Sequence, residues 1–168
     1  LGLSSCNLSK FPDFLANQNE LEKLELNNYI HGQVPKWFWN VSIESIKSID
    51  LSNNFLTNLS QHPMPLSWTH LAILDISSNK LRGSLPIPSF STLQYHVSSN
   101  SFIGQISELI CNMSSLQILD LSENNLSDSI PQCLHNFDDS LLILDIRRNN
   151  FEGSIPLTWT SGRKLFNN

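Results

Sequence analysis

The sequence predicts an α/β-type repeat solenoid, with short parallel strands on one face and loops or short helical turns on the other. Three observations predict it: a recurrent apolar pattern, an asparagine in register with that pattern, and a Gly or Ile-Pro segment behind the asparagine. The segment 116–134, LQILDLSENNLSDSIPQCL, contains the pattern LxxLxLxxNxLxxxIP. Its apolar spacing follows neither a helix period nor a long strand alternation. A short strand entering a turn accounts for it better.

An asparagine is expected to close the turn of most units. Five of them recur at separations of 25, 21, 24 and 25 residues: Asn54, Asn79, Asn100, Asn124 and Asn149. Apolar residues precede each one at positions −5 and −3. Where a strand ends, backbone groups lose their ladder partners, and an amide side chain both donates and accepts hydrogen bonds. We therefore predict a ladder of stacked asparagines.

Residues 1–168 read as a single array of about seven units, without a second domain. In the first unit Cys6 takes the ladder place, where a buried thiol is expected. The second unit is one residue shorter than the others, so that either Asn28 or Tyr29 must occupy the ladder position, and we favour Asn28. Neither end shows a polar capping segment, which predicts a fragment of a longer array.

The outer side of two units is expected to be irregular. In the third unit Asn58 begins a segment without the Gly and Ile-Pro signals, which predicts a loop. The unit from Asn79 to Asn100 is the shortest. Pro86 and Pro88 favour extended backbone there, so no helix is expected.

Composition limits the functional classes. The chain has 168 residues, 40% of them hydrophobic, and a net charge of −5, which suits one folded core. No basic cluster favours nucleic acid or an anionic membrane surface. No apolar run approaches the roughly 18 residues of a membrane span, so we expect no membrane contact by this segment. The opening residues do not form a signal peptide.

No catalytic site is expected. The five histidines fall at unrelated places in the units: His31, His62, His70, His96 and His135. Zinc binding through Cys133 and His135 lacks a second pair of ligands. We expect no metal, no cofactor and no enzymatic activity. A column of acids, at position −4 in most units, is interpreted as structural rather than as paired catalytic acids: Glu25, Asp50, Asp75, Asp120 and Asp145.

The units resemble the plant extracellular leucine-rich repeat, LxxLxxLxLxxNxLxGxIPxx. The segments SSCNLSKFPDFL, IHGQVPKWFWN and ELICNMSSLQILDLSENNLSDSIPQCL are similar to the ectodomains of defence-type receptor-like proteins. The resemblance implies a right-handed superhelix with strands on its concave face. It also implies a receptor that is secreted to the cell wall or held at the extracellular face of the plasma membrane, and that senses a ligand with partner co-receptor kinases.

Two kinds of covalent modification are expected outside the cell. Cys111 and Cys133 lie on the outer side of consecutive coils, and a disulfide is favoured there in an extracellular protein, as the resemblance also implies. Five N-x-Ser sequons mark candidate glycosylation sites: Asn7, Asn40, Asn58, Asn112 and Asn125. Of these, Asn40, Asn58 and Asn112 are expected on the outer side.

Binding is the remaining chemistry. Strand residues at −6, −4, −2 and −1 from the ladder should face the concave surface. Candidates are the departures from Asp and Ser there: Tyr29, Gln94, His96, Glu123, Arg147 and Arg148. The two arginines could hold a ligand carboxylate, or pair internally with Asp120 or Asp145. The tryptophans at 37, 39, 68 and 159 are interpreted as packing residues.

The leading hypothesis is a ligand-recognition segment, binding a protein or peptide, of a plant cell-surface receptor-like protein in defence or signalling. A second hypothesis is a secreted inhibitor of a microbial enzyme that degrades the cell wall. A third is a truncated array without independent activity.

Overall fold

The computed structural model describes residues 1–60, 65–135, 140–153 and 164–166. Twelve strands are present in these residues: β1 (Lys23–Glu25), β2 (His31–Gln33), β3 (Ser48–Asp50), β4 (Phe55–Asn58), β5 (Ile73–Asp75), β6 (Arg82–Gly83), β7 (Gln94–His96), β8 (Ser101–Gly104), β9 (Ile118–Asp120), β10 (Asn125–Leu126), β11 (Ile143–Asp145) and β12 (Lys164–Phe166). Four 3₁₀ helices accompany them: η1 (Asp13–Asn17), η2 (Lys36–Asn40), η3 (Glu108–Asn112) and η4 (Gln132–His135).

A seven-stranded parallel sheet lines the concave face in the order β1-β3-β5-β7-β9-β11-β12. Its strands pair in register, so that Leu24 lies opposite Ile49 and Leu119 opposite Leu144. In β1, β3, β5, β7, β9 and β11 the middle residue is buried, and its two neighbours are more exposed. Short parallel strands with one inward residue each confirm the solenoid prediction.

A second sheet follows the ladder positions and is also parallel. It consists of the pair β2–β4 and the three strands β6–β8–β10. The backbone N–H of Lys80 donates to the Leu56 carbonyl oxygen at 2.8 Å and connects the two groups. Side chains alternate between core and surface: Leu56 and Leu81 are buried, while Arg82 is exposed. The second sheet therefore has an outward face of its own.

The asparagine ladder is present as predicted. Asn124 Nδ2 donates to the carbonyl oxygens of Leu121 in its own coil and Val97 in the preceding coil, at 3.2 and 3.0 Å. Its Oδ1 accepts from the backbone N–H of Phe102 at 3.0 Å. The other four predicted asparagines make equivalent bonds. Each amide thus satisfies backbone groups of two successive coils. We number the coils 1 to 7 by their ladder residues: Cys6, Asn28, Asn54, Asn79, Asn100, Asn124 and Asn149.

The first two coils show one confirmed prediction and one error. Asn28 serves the ladder in coil 2, because its Nδ2 donates to Leu3 O at 2.7 Å and its Oδ1 accepts from Cys6 N at 2.8 Å. Cys6 occupies the ladder place of coil 1, but its thiol is free and exposed rather than buried. The prediction of burial was wrong, because the thiol lies at the surface and donates to the Ser4 carbonyl oxygen at 3.6 Å.

The outer side carries the 3₁₀ helices. Pro12 and Pro35 precede η1 and η2, where a fixed φ and a missing N–H suit a helix start. No helix crosses the outer side between Asn79 and Asn100, as predicted. Residues 65–71 of the third unit form only turns and bends, which agrees with the predicted loop over its described part.

Aromatic side chains fill the outer half of coils 2 and 3. Trp68 is buried, and its indole N–H donates to the Val41 carbonyl oxygen at 2.9 Å. Trp39 is also buried and donates to Ser60 O at 3.2 Å. These contacts support the packing interpretation for both, while Trp37 is half-buried at the same cluster. Trp159 lies outside the described residues.

A disulfide joins η3 to η4 on the outer side. Cys111 and Cys133 are bonded, with Cα atoms 5.7 Å apart and a sequence separation of 22. The predicted pairing is therefore confirmed. It connects coils 5 and 6 covalently at a distance from the strands.

Candidate functional site

The acidic column on the concave face forms turns. Asp75 Oδ1 accepts the backbone N–H of Ser77 at 2.9 Å and its hydroxyl at 2.6 Å. Asp120 makes the same two bonds to Ser122 at 3.1 and 2.7 Å. A carboxylate that caps the residue two positions ahead stabilises the exit from the strand. This geometry supports the structural interpretation of the column.

Coil 5 interrupts the column. His96 takes the position of the acid, in register with Asp75 on one side and Asp120 on the other. Gln94 lies at the other end of the same strand, and both side chains are half-buried. The two candidates therefore lie together on the concave face, as predicted. At the equivalent positions the neighbouring strand β9 has an aliphatic residue and an acid, Ile118 and Asp120. Gln94 and His96 instead present polar groups that can both donate and accept hydrogen bonds.

Glu123 and Arg148 form an ion pair across coils 6 and 7. Arg148 Nη1 donates to Glu123 Oε1, and Ser99 of coil 5 donates its hydroxyl to Glu123 Oε2 at 2.7 Å. The Ser99 hydrogen bond and then the Arg148 guanidinium hold the pKa of the Glu123 carboxyl below its usual value. Three consecutive coils thus contribute one side chain each to a single polar cluster. Sequence reasoning did not single out Ser99, because serine is common at its position.

Arg147 pairs within its own coil. Its Nε and Nη2 donate to Asp145 Oδ1 and Oδ2 at 3.0 and 2.6 Å, a two-point contact. That hydrogen bonding, with the attraction of nearby carboxylates, raises the pKa of the Arg147 guanidinium. Of the two internal partners considered for the arginines, Asp145 is used by Arg147. Arg148 takes Glu123 instead, a partner that the sequence did not suggest.

The cluster remains accessible to a ligand. The Arg147 and Arg148 side chains are 45% and 70% exposed, and Glu123 is 43% exposed. Exposed ion pairs contribute little to stability because water screens them. An incoming carboxylate can therefore replace Glu123 at Arg148 with little net cost.

Tyr29 does not belong to this face. Because Asn28 occupies the ladder, Tyr29 follows it at the start of the second sheet, and it is 57% exposed. Its ring stacks on that of Phe55, with centroids 6.2 Å apart. Its assignment to the concave surface was wrong, since the one-residue deletion in coil 2 lies before the ladder residue and not after it.

The remaining candidates are distributed over the surface. All five sequon asparagines are exposed, and Asn40 and Asn112 each end a 3₁₀ helix on the outer side. His62 and the side chain of His135 lie outside the described residues. In the described part of the chain, no group of three or more His, Cys, Asp or Glu side chains is placed to hold a metal ion. Nor does that part hold a helix long and apolar enough to cross a membrane.

Known proteins share this repeat. The family model for the Leucine Rich Repeat matches residues 70–93, 115–137 and 140–161. Receptor-like protein 7 of Arabidopsis thaliana is 44% identical to this chain over 135 residues, which make up 80% of the chain and 14% of that relative. The chain is a leucine-rich repeat array similar to plant receptor-like proteins. It spans only about a seventh of the length of the first curated relatives that it matches.

Solved ectodomains share the fold of the leucine-rich repeat array. That of the plant membrane receptor kinase GASSHO1/SCHENGEN3 from Arabidopsis thaliana, in complex with CASPARIAN STRIP INTEGRITY FACTOR 2, has a TM-score of 0.79 and 26% identity. The match covers 94% of the array and 20% of that chain. The Arabidopsis receptor kinase HAESA, in complex with the peptide hormone IDA and the co-receptor SERK1, has a TM-score of 0.71 and 27% identity. It covers 99% of the array and 33% of its own chain.

Proposed function

We propose that the array is a ligand-recognition segment of a plant cell-surface receptor-like protein in defence or signalling, and that it binds a protein or peptide on the concave face. The observation that carries this proposal is the polar cluster of Ser99, Glu123, Arg147 and Arg148, which interrupts a face otherwise lined by turn-forming acids. The likeness to receptor-like proteins and to ectodomains solved with ligands supports it. The array then acts outside the cell, at the plasma membrane or in the cell wall, with co-receptor kinases as further partners.

Charge defines the ligand class. The two guanidinium groups favour a carboxylate, which an arginine binds through two parallel N–H donors. The acids of coils 2 to 4 disfavour a ligand with many negative charges. A peptide with a free terminal carboxylate and a neutral or basic body fits both conditions. Its carboxylate would lie at coils 6 and 7 and its body would run towards His96 and Gln94.

Paired peptide arrays test this proposal. Each peptide is synthesised with a free carboxyl terminus and as the amide, and both forms are probed with the full chain. We expect binders to prefer the free acid and to lose that preference in the Arg147→Glu, Arg148→Glu double variant. The matched control is Lys80→Glu with Arg82→Glu, which makes the same charge change on the second sheet. The proposal would be overturned by peptides that bind equally well as the free acid and as the amide, and equally well to the full chain and to the Arg147→Glu, Arg148→Glu variant.

A further inference from the structure

Aromatic rings and cations are stacked on the outward face of the second sheet. Tyr29 and His31 of coil 2 stack on Phe55 of coil 3, with ring centroids 6.2 and 4.7 Å apart. The Lys80 ammonium of coil 4 lies over the same Phe55 ring, 5.0 Å from its centroid. Arg82 follows on β6 and is exposed. We call these five residues the ring–cation patch.

Charge is segregated around the ring–cation patch. The second-sheet segments of coils 1 to 5 contain no Asp or Glu, although the chain as a whole carries a net charge of −5; these segments are 7–11, 29–33, 55–59, 80–84 and 101–105. The same segments hold Lys10, Lys80 and Arg82 besides His31. The salt bridges found among the described residues use Lys23, Lys47 and the two concave arginines. Lys80 and Arg82 are therefore available to an external partner.

The orientation of the rings adds to this positive surface. Coils 2 and 4 are the two neighbours of coil 3, and the Phe55 ring is stacked on His31 of coil 2 and lies under the Lys80 ammonium of coil 4. The edge of an aromatic ring carries partial positive charge, and its faces carry partial negative charge. Stacking thus uses the ring faces and leaves edges towards solvent. Carboxylate oxygens are complementary both to these edges and to the adjacent cations.

From this geometry we infer that the ring–cation patch binds an acidic segment of a partner protein. Tyr and Arg are among the residue types enriched at the energetic centres of protein interfaces, and rings held by stacking lose little side-chain freedom on binding. A saccharide would need an open ring face for its C–H groups, whereas the Phe55 ring is already engaged by Tyr29, His31 and Lys80. This surface is separate from the concave face, so the array would hold two partners of different charge at the same time.

A defined acidic probe tests the inference. The probe is a fluorescent twelve-residue peptide of alternating Glu and Ala, acetylated and amidated so that only side-chain carboxylates are present. The reference is the same peptide with Gln in place of Glu. We expect the full chain to bind the acidic peptide about tenfold more tightly, by fluorescence anisotropy, and salt to weaken that preference.

Substitutions locate the binding. The Lys80→Glu, Arg82→Glu double variant should lose the preference for the acidic peptide, and Tyr29→Ala should reduce it without touching a charge. The Arg147→Glu, Arg148→Glu variant carries the same charge change on the concave face and should keep the preference. Enzymatically deglycosylated protein is measured in parallel, because the sequon at Asn58 lies on the same strand as Phe55. Far-UV circular dichroism confirms that every variant is folded.

Three outcomes would overturn the inference. One is equal affinity for the acidic and the neutral peptide in the glycosylated and the deglycosylated protein. Another is an acidic preference that disappears in the concave variant and persists in the second-sheet variant. The third is tighter, patch-dependent binding of oligogalacturonate than of the peptide, which would assign the patch to an acidic polysaccharide. The first and third results do not bear on the carboxyl-terminal preference of the concave face. The second assigns the acidic peptide to that face, where the comparison of free acid and amide is still decided by its own test, so the two proposals fail separately.

Discussion

The Asn54 side chain donates a hydrogen bond to the carbonyl oxygen of Leu26, 2.7 Å away and one coil earlier in the chain. The bond joins two coils at a point where the backbone leaves the concave sheet. Water cannot replace it, because Asn54 is only 5% exposed. The equivalent bond recurs along the array, and the stability of the fold depends on it.

Removing one ladder amide should destabilise the array strongly. We expect Asn124→Ala to lower the free energy of unfolding by about 1–3 kcal/mol, because it leaves the buried N–H of Phe102 without a partner and removes one of the two amide donors from the carbonyl oxygens of Val97 and Leu121. Urea denaturation measures this change. Asn150→Ala is the control: Asn150 is exposed, follows the next ladder residue and should be neutral within about 0.5 kcal/mol. Equal effects of the two substitutions would contradict the ladder's role.

The outer-side disulfide should also make a large contribution to the free energy of unfolding. Opening a loop of 22 residues by Cys111→Ser with Cys133→Ser should cost about 3 kcal/mol, since the unfolded chain regains the freedom that the bond removed. Thermal melting of the double variant measures it. Cys6→Ser should leave the melting temperature unchanged, because that thiol is exposed and free. Iodoacetamide should label Cys6 alone in the unreduced native protein.

Tyr95 should resist ionisation in the folded state. Burial alone raises the pKa of its phenol well above the usual value, and its hydroxyl donates to the Pro86 carbonyl oxygen at 2.7 Å. A raised folded-state pKa gives stability that is complete below about pH 10 and is lost as the pH rises further. Tyr95→Phe should therefore flatten the alkaline fall in stability. Ultraviolet titration of a Tyr29→Phe variant, in which Tyr95 is the remaining tyrosine, observes the phenol directly.

The pKa of Glu123 should depend on both Ser99 and Arg148. The hydroxyl hydrogen bond is the largest single cause of the lowered pKa, and Arg148 adds a hydrogen bond and its charge, so Ser99→Ala and Arg148→Ala should each shift the carboxyl titration upwards. A lowered folded-state pKa gives stability that is present above the usual carboxyl pKa and is lost as the pH falls through the folded value. Carbon-detected NMR of the Glu123 carboxyl measures both shifts. An unchanged titration in either variant would contradict the prediction.

The sequence predicts the array well because its contacts repeat. A ladder asparagine meets the same backbone groups in every coil, so its position relative to the leucines defines its partners. The outer side is also predictable where prolines dictate it, as at Pro86 and Pro88, which exclude a helix from that unit. The disulfide follows from two cysteines at similar positions of consecutive coils.

The errors arise where one coil departs from its neighbours. A deletion before Asn28 moved Tyr29 out of the concave face, and spacing alone left two choices for the ladder residue. Burial of Cys6 was inferred from its own position, although burial depends on the coil beside it. The Glu123–Arg148 pair connects equivalent positions of adjacent coils, and aligning the units side by side would have found it. The repeat pattern does not determine which carboxylate Arg147 contacts, because the pairing with Asp145 depends on the conformation of the arginine side chain.

The ladder also gives the array a polarity. Every ladder amide bonds to the backbone of the coil before it. Asn149 of coil 7 donates to Leu121 O and accepts from Leu126 N of coil 6, whereas the ladder residue of coil 6, Asn124, bonds to coil 5. Shortening the array from its carboxyl-terminal side therefore strands unpaired polar groups on the coil that remains. Shortening it from the amino-terminal side also opens backbone bonds, such as that from Asn150 N–H to Leu126 O, but within the ladder it only turns an amide towards water. Deletions of equal length should accordingly be tolerated unequally at the two ends.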